Sequence, residues 1–213
     1  ESDKPGNEKL IWSSGRTNEL GVIVGPDGQP LKTETFQRDT PDGPECYQPH
    51  HEIITQQDQV QIYETLLHTF NREFTTSFIH GCYVVKDNRL LPRGWSAEGP
   101  NPEALTGEYL RATHPVAGAA QDGLYVNGSG SDETLYRIKL PDGSNQSQLR
   151  VRVALYYQAI PPYFLKNIFD TAPDGEASRR LHYMLSHANL EGTIIEDWKL
   201  LIHESETEVA PSQ

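Results

Sequence analysis

The chain has 213 residues, of which 36% are hydrophobic and 23% charged, so there is apolar material for a packed core under a polar surface. Eighteen Lys and Arg stand against thirty Asp and Glu, and the net charge of −12 repels phosphate backbones, which argues against nucleic acid as a partner. No apolar run approaches the roughly 18 residues of a membrane span, so none is expected.

The start, Glu1-Ser2-Asp3-Lys4-Pro5, is polar and has no apolar signal segment. It reads as a mature or trimmed piece of a longer chain, with the signal peptide absent from this piece. Residues 1–8 read as a flexible arm. Segments 10–13, 20–24 and 31–36 are apolar and β-branched. Ser14-Gly15-Arg16-Thr17-Asn18 and Pro26-Asp27-Gly28 separate them, which predicts a meander. Residues 38–49 are rich in Asp, Pro and Gly and predict a loop. Val60, Ile62, Glu64 and Leu66 alternate with Gln59, Gln61, Tyr63 and Thr65, the pattern of a strand with one wet face. The pattern continues over 75–86, where Gly81 implies a bulge or bend, and Asp87-Asn88 closes it. Residues 92–102 predict a long loop, 109–113 a short strand, and 117–132 a Gly- and Ser-rich loop.

Tyr136, Ile138 and Leu140 alternate with Leu135, Arg137 and Lys139, and after Pro141-Asp142-Gly143 the alternation resumes over 150–157. The two stretches read as a hairpin with a long tip, one face packed on a second sheet. Pro161-Pro162 opens a helix at about 161–169. Leu181, Met184, Leu185 and Ala188 lie three and four apart and predict another at about 176–188. Residues 194–203 alternate as a final strand, and 205–213 read as a flexible tail. The fold expected is mainly β: an antiparallel, jelly-roll-like β-sandwich with a helical insertion near the C-terminus, forming one domain over 9–204.

Cys46 and Cys82 leave a disulfide, two buried thiols or part of a metal site open, and an extracytoplasmic setting favours the bridge. Cys-x-x-Cys and Cys-x-x-Cys-His are absent, so this chain attaches no c-type haem itself. Among eight histidines, His50 and His51 are adjacent, and neighbours on a strand point to opposite faces. His-Glu-x-x-His, Gly-x-Ser-x-Gly, Walker and dinucleotide patterns are missing. Carboxylate pairs such as Asp132-Glu133 and Glu196-Asp197 leave a carboxylate-dependent hydrolase as one alternative, which would need two acids about 5–9.5 Å apart across a cleft. Residues 127–133 offer oxygen ligands for Ca²⁺ from Asn127, Asp132 and Glu133. Trp95, in a Gly/Pro loop, and Tyr156, Tyr157 and Tyr163 offer rings on which a glycan could stack, which makes a carbohydrate-binding module the other alternative. The run from Lys86 to Trp95 holds no nucleophile beside a base and reads as architecture. Its Asp87 is placed to pair with Arg89 or to accept backbone N–H bonds.

That run also carries a resemblance. Gln57-Asp58-Gln59-Val60-Gln61-Ile62-Tyr63-Glu64, Lys86-Asp87-Asn88-Arg89-Leu90-Leu91-Pro92-Arg93-Gly94-Trp95 and Val153-Ala154-Leu155-Tyr156-Tyr157-Gln158 resemble the haem-free β-rich domain attached to large bacterial multihaem c-type cytochromes. Trp12-Ser13-Ser14-Gly15-Arg16-Thr17-Asn18 and Tyr47-Gln48-Pro49-His50 fit the same pattern, which touches the chain from about Trp12 to Trp198. The resemblance implies a periplasmic or extracellular bacterial setting and a structural or docking role. Haem would sit only in a parent or partner region, which would also carry the electron transfer. Under that implication His50 is the candidate axial ligand to a neighbouring haem.

Overall fold

The computed structural model describes residues 9–36, 46–99, 112–142 and 149–209. The arm 1–8, most of the loop 38–49, residues 109–111 of the strand expected at 109–113, the hairpin tip and the end of the tail lie outside the described residues, and 112–113 are turn rather than strand. The chain divides into a central unit, Lys32–Arg137, and a terminal unit made of Glu1–Leu31 and Ile138–Gln213.

In the central unit, β1 (Ile53–Ile54) pairs in parallel with β5 (Leu135–Tyr136). The strands β2 (Thr65–His68), β3 (Phe74–Thr75) and β4 (Tyr83–Asp87) form an antiparallel sheet in the order β3-β2-β4. Between β3 and β4 the chain bends where Gly81 N–H donates to Ser77 O, at the glycine expected to mark a bend. The apolar core is Ile54, Leu66, Ala119 and Tyr125, and more polar than apolar side chains are buried around it.

In the terminal unit, β6 (Arg150–Tyr157) and β7 (Leu200–Glu208) form a two-stranded antiparallel ribbon with a register shift at Leu155/Tyr156. Two helices precede β7: α1 (Pro162–Thr171) opens on its proline and α2 (Glu176–Ser186) follows Gly175. They meet where the edge of one ring faces the other, Phe169 on His182 at 5.2 Å. Both lie where the prolines and the apolar spacing put them.

The expected sandwich is not what forms. Strand is 21% and helix 18% of the described residues, and the sheets hold two or three strands each. Alternation marks an extended segment with unlike sides, but it names neither the neighbour nor the cover of the dry side. Three corrections show this. First, residues 135–140 and 150–157 do not form a hairpin. β5 lies beside fully buried Ile54, while β6 finds charge-matched partners on β7, with Arg150–Glu206 at 3.0 Å and Arg152–Glu204 at 2.6 Å. The same cross-strand pairs extend β7 through Glu208, so 205–208 are strand rather than loose tail. Second, 10–13, 20–24 and 31–36 do not make a ladder. Asn18 Oδ1 accepts the N–H groups of Leu20 and Val22, only single bridges form at Thr17↔Ile23 and Val24↔Pro30, and Lys32–Glu34 is a 3₁₀ turn. Third, 194–203 is broken by another 3₁₀ turn, Glu196–Trp198, in which Asp197 and Trp198 take positive φ.

Among the described residues no helix is long and apolar enough to cross a membrane.

Candidate functional site: a buried polar network

Gln61, Asn88, Asp122 and Tyr125 converge on His50, and two amide side chains fix the arrangement. Asn88 follows β4 directly. Its Oδ1 accepts Glu64 N–H at 2.9 Å, and its Nδ2 donates to Ile62 O at 2.9 Å. Gln61 Oε1 accepts His51 N–H at 2.8 Å. These backbone partners fix which end of each amide is the donor. Both N–H ends then face His50 Nδ1, Gln61 Nε2 at 3.2 Å and Asn88 Nδ2 at 3.3 Å. A nitrogen approached by two donors accepts, so His50 carries its proton on Nε2 and donates it to Asp122 Oδ2 at 3.1 Å. The Tyr125 ring stands edge-on to His50 at 5.1 Å, and Tyr125 O–H donates to Arg89 O.

The surrounding groups are equally engaged. Asp122 Oδ1 accepts the N–H groups of Leu124 and Tyr125. Burial pushes the Asp122 carboxyl up, but the bonds from His50 and these two N–H groups outweigh it and hold the group below its ordinary value. Asp132 Oδ2 accepts from Tyr63 O–H at 2.6 Å and Gln61 Nε2 at 3.2 Å. Burial and the Asp132 charge raise the Tyr63 phenol well above its ordinary value. The Tyr125 phenol is pushed up to about 12 by burial and by the charges of Asp87 and Asp132. Lys86, fully buried, donates to Ile62 O and Glu64 Oε1, each at 2.9 Å. Burial lowers its ammonium, and Glu64 only partly restores it. His51 bonds Gln48 Oε1 through Nε2 at 3.0 Å, and burial, helped by the Lys86 charge, lowers it.

Residues 56–58 turn, 59–64 join no ladder, and the neighbours of this segment are side chains. Gln48 accepts Val60 N–H and donates to Asp58 O, Gln59 accepts Thr55 and Gln56 N–H, and Asn88 holds Ile62 and Glu64. Asparagine and glutamine amides carry the same donor and acceptor as a peptide unit, so here they take the place of a ladder. The strand expected over 59–66 therefore begins only at Thr65.

A ligand atom from each of His50, Asp122 and Asp132 lies within 4.8 Å of the others, a spacing that suits an ion. Here the three groups bond inside the protein: His50 Nε2 donates to Asp122, and the Asp132 oxygens accept from Tyr63 O–H, Gln61 Nε2 and Glu133 N–H, so an ion would have to replace these bonds. Of the expected calcium ligands, Asp132 joins this network. Asn127 instead closes a turn onto Ser129 N–H at 2.7 Å, and Glu133 is exposed. The His50 side chain is 1% exposed, with both nitrogens engaged inside the unit, so an outside haem iron would have to reach a buried ring and replace one of these bonds. Cys46 and Cys82 are free thiols and form no disulfide. Asp87 does both things expected of it, accepting Arg89 N–H and pairing with its guanidinium at 2.9 and 2.6 Å.

Trp95 lines a cleft with His114 and Asn127 in the central unit. Tyr156, Tyr157 and Tyr163 belong to the terminal unit. Tyr156 carries Lys199 Nζ over its ring at 4.5 Å, Tyr157 is exposed, and Tyr163 lies in the first turn of α1. Sequence reasoning missed Gln48, Gln61, Tyr63, Asn88 and Asp122 as members of one cluster. The available signal was the density of Gln, Asn and Asp inside segments that alternate like strands.

Comparison with protein-family models, with curated proteins and with solved structures gave no match in any of the three.

Proposed function

We propose that this chain is a non-catalytic structural or docking module of an exported bacterial multihaem c-type cytochrome, working in the periplasm or outside the cell. Haem and electron transfer belong to another part of the same protein or to a partner. The observation that supports this reading is the fate of the residues behind the resemblance. Gln61, Tyr63, Glu64, Lys86, Asp87 and Asn88 all direct their side chains into bonds within the unit. A sequence pattern that serves shape rather than reactivity looks like this, because each of these groups, once buried, needs its partner. The carboxylates brought together, Asp122 and Asp132, bond to His50 and to Tyr63 rather than framing a sugar cleft between them, so the hydrolase reading gains nothing from them.

Two observations test the proposal. The gene product or its immediate neighbour should carry several Cys-x-x-Cys-His motifs, and the purified chain mixed with haem should develop no bound-haem Soret band. Tight haem binding by the chain alone, or a genomic setting without any c-type cytochrome, would remove the reading.

A further inference from the structure

We propose that the cleft beside Trp95 binds a neutral saccharide. It encloses about 360 Å³, within the roughly 300–1,000 Å³ of small-molecule sites. Two loops build its wall. Gly94 N–H donates to Gly128 O at 2.7 Å. A Cβ on Gly128 would lie 2.8 Å from Trp95 O, and one on Gly130 would lie 2.7 Å from Arg93 N, while both glycines have positive φ, 78° and 74°. The loops thus meet backbone to backbone, a closeness only glycine permits, and Trp95 is held before any ligand arrives. His114 meets the indole edge-on, ring centres 5.7 Å apart.

The lining chemistry selects the ligand class. One indole offers a face for the C–H side of a sugar ring. Glu98 supplies an acceptor. Asn127 Oδ1 is taken by Ser129 N–H, so what Asn127 has to offer a ligand is its amide N–H. Sugar hydroxyls both donate and accept, so they use both groups. The indole N–H of Trp95 is buried and has no acceptor among the described residues, an unmet donor in the residue that forms the wall. An anion is disfavoured because Glu98 lines the cleft and, among the described residues, no Lys or Arg does. A quaternary ammonium is disfavoured because recognition of such cations uses a cage of several aromatic faces, and Trp95 with the edge-on His114 ring is not one. The inference rests on residues outside the polar network and is independent of the cytochrome reading.

The test titrates the full chain with cellohexaose, xylohexaose, mannohexaose and chitohexaose, read by calorimetry and tryptophan fluorescence, with tetramethylammonium and inorganic phosphate as comparison probes. At least one oligosaccharide should bind. Trp95→Ala should weaken it roughly tenfold or more and Trp95→Phe much less, the pattern expected for a stacked ring. Asn127→Asp keeps the turn onto Ser129 but removes the amide donor, so it should weaken binding in a protein of unchanged circular dichroism. Absence of binding to all four sugars, binding of only the cation or the phosphate, or sugar binding that Asn127→Asp leaves intact would each overturn the proposal.

Discussion

In the central unit the buried side chains are mostly polar, and Lys86, Asn88, Asp122 and His50 are closed on one another and on backbone. In the terminal unit the buried residues described are Gly21, Ile23, Val24, Gly25 and Ser178, while Val153, Leu155 and Tyr157 of β6 and Met184 of α2 are exposed. The first unit is specified by hydrogen bonds that have no substitute once water is excluded. The second relies on a ribbon and two short helices, and a two-stranded ribbon is marginal by itself. Removing one partner from the first should therefore cost far more than removing one from the second.

The largest effect is expected at the buried ion pair. Lys86→Ala leaves Glu64 facing an interior without its cation and should cost about 3–5 kcal/mol, whereas Lys86→Met combined with Glu64→Leu should recover most of that loss. Chemical denaturation of the two variants checks this, and equal destabilisation by both would show that packing, not charge, sets the cost. Asn88→Ala comes next. It strands Glu64 N–H and Ile62 O and removes a donor from His50, for about 3 kcal/mol by the same measurement.

Acid should act on the central unit in two steps. His51 has a folded value below its ordinary 6.5, so the unfolded chain takes up its proton first; the stability from keeping it neutral is full above about pH 6.5 and falls as pH drops toward the folded value. Asp122 lies below its ordinary 3.8, so its contribution is present above that pH and is lost as pH falls through the lower folded value. Thermal melts between pH 7 and pH 3 should show both losses, with the lower one flattened in Asp122→Asn. The smallest effect belongs to the terminal unit. Arg152→Ala breaks a partly exposed pair with Glu204 and should shift stability by no more than about 1 kcal/mol.

The contrast also explains what the sequence made legible. Pro161-Pro162 and the spacing of Leu181 and Leu185 place the helices, because helix signals are local. The Asp87–Arg89 turn is local too, and it forms as expected. Strand partners are not local. The alternation at 150–157 marks a strand that forms, whereas at 59–66 and 135–140 only Thr65–Leu66 and Leu135–Tyr136 are strand, because whether a neighbour is a strand, a glutamine amide or a row of glutamates depends on residues far along the sequence. The polar network escaped for the same reason: His50, Asn88, Asp122 and Asp132 come from four separate segments, and nothing in any one segment announces the others.

The central unit is built on His50 locked as an Nε2–H donor and Nδ1 acceptor inside a closed network. Long-range proton–nitrogen NMR of the histidine rings reads this directly. His50 should show a protonated Nε2 and an accepting Nδ1, unmoved by excess Zn²⁺ or Ca²⁺. A protonated Nδ1, or resonances that shift on adding either ion, would contradict it.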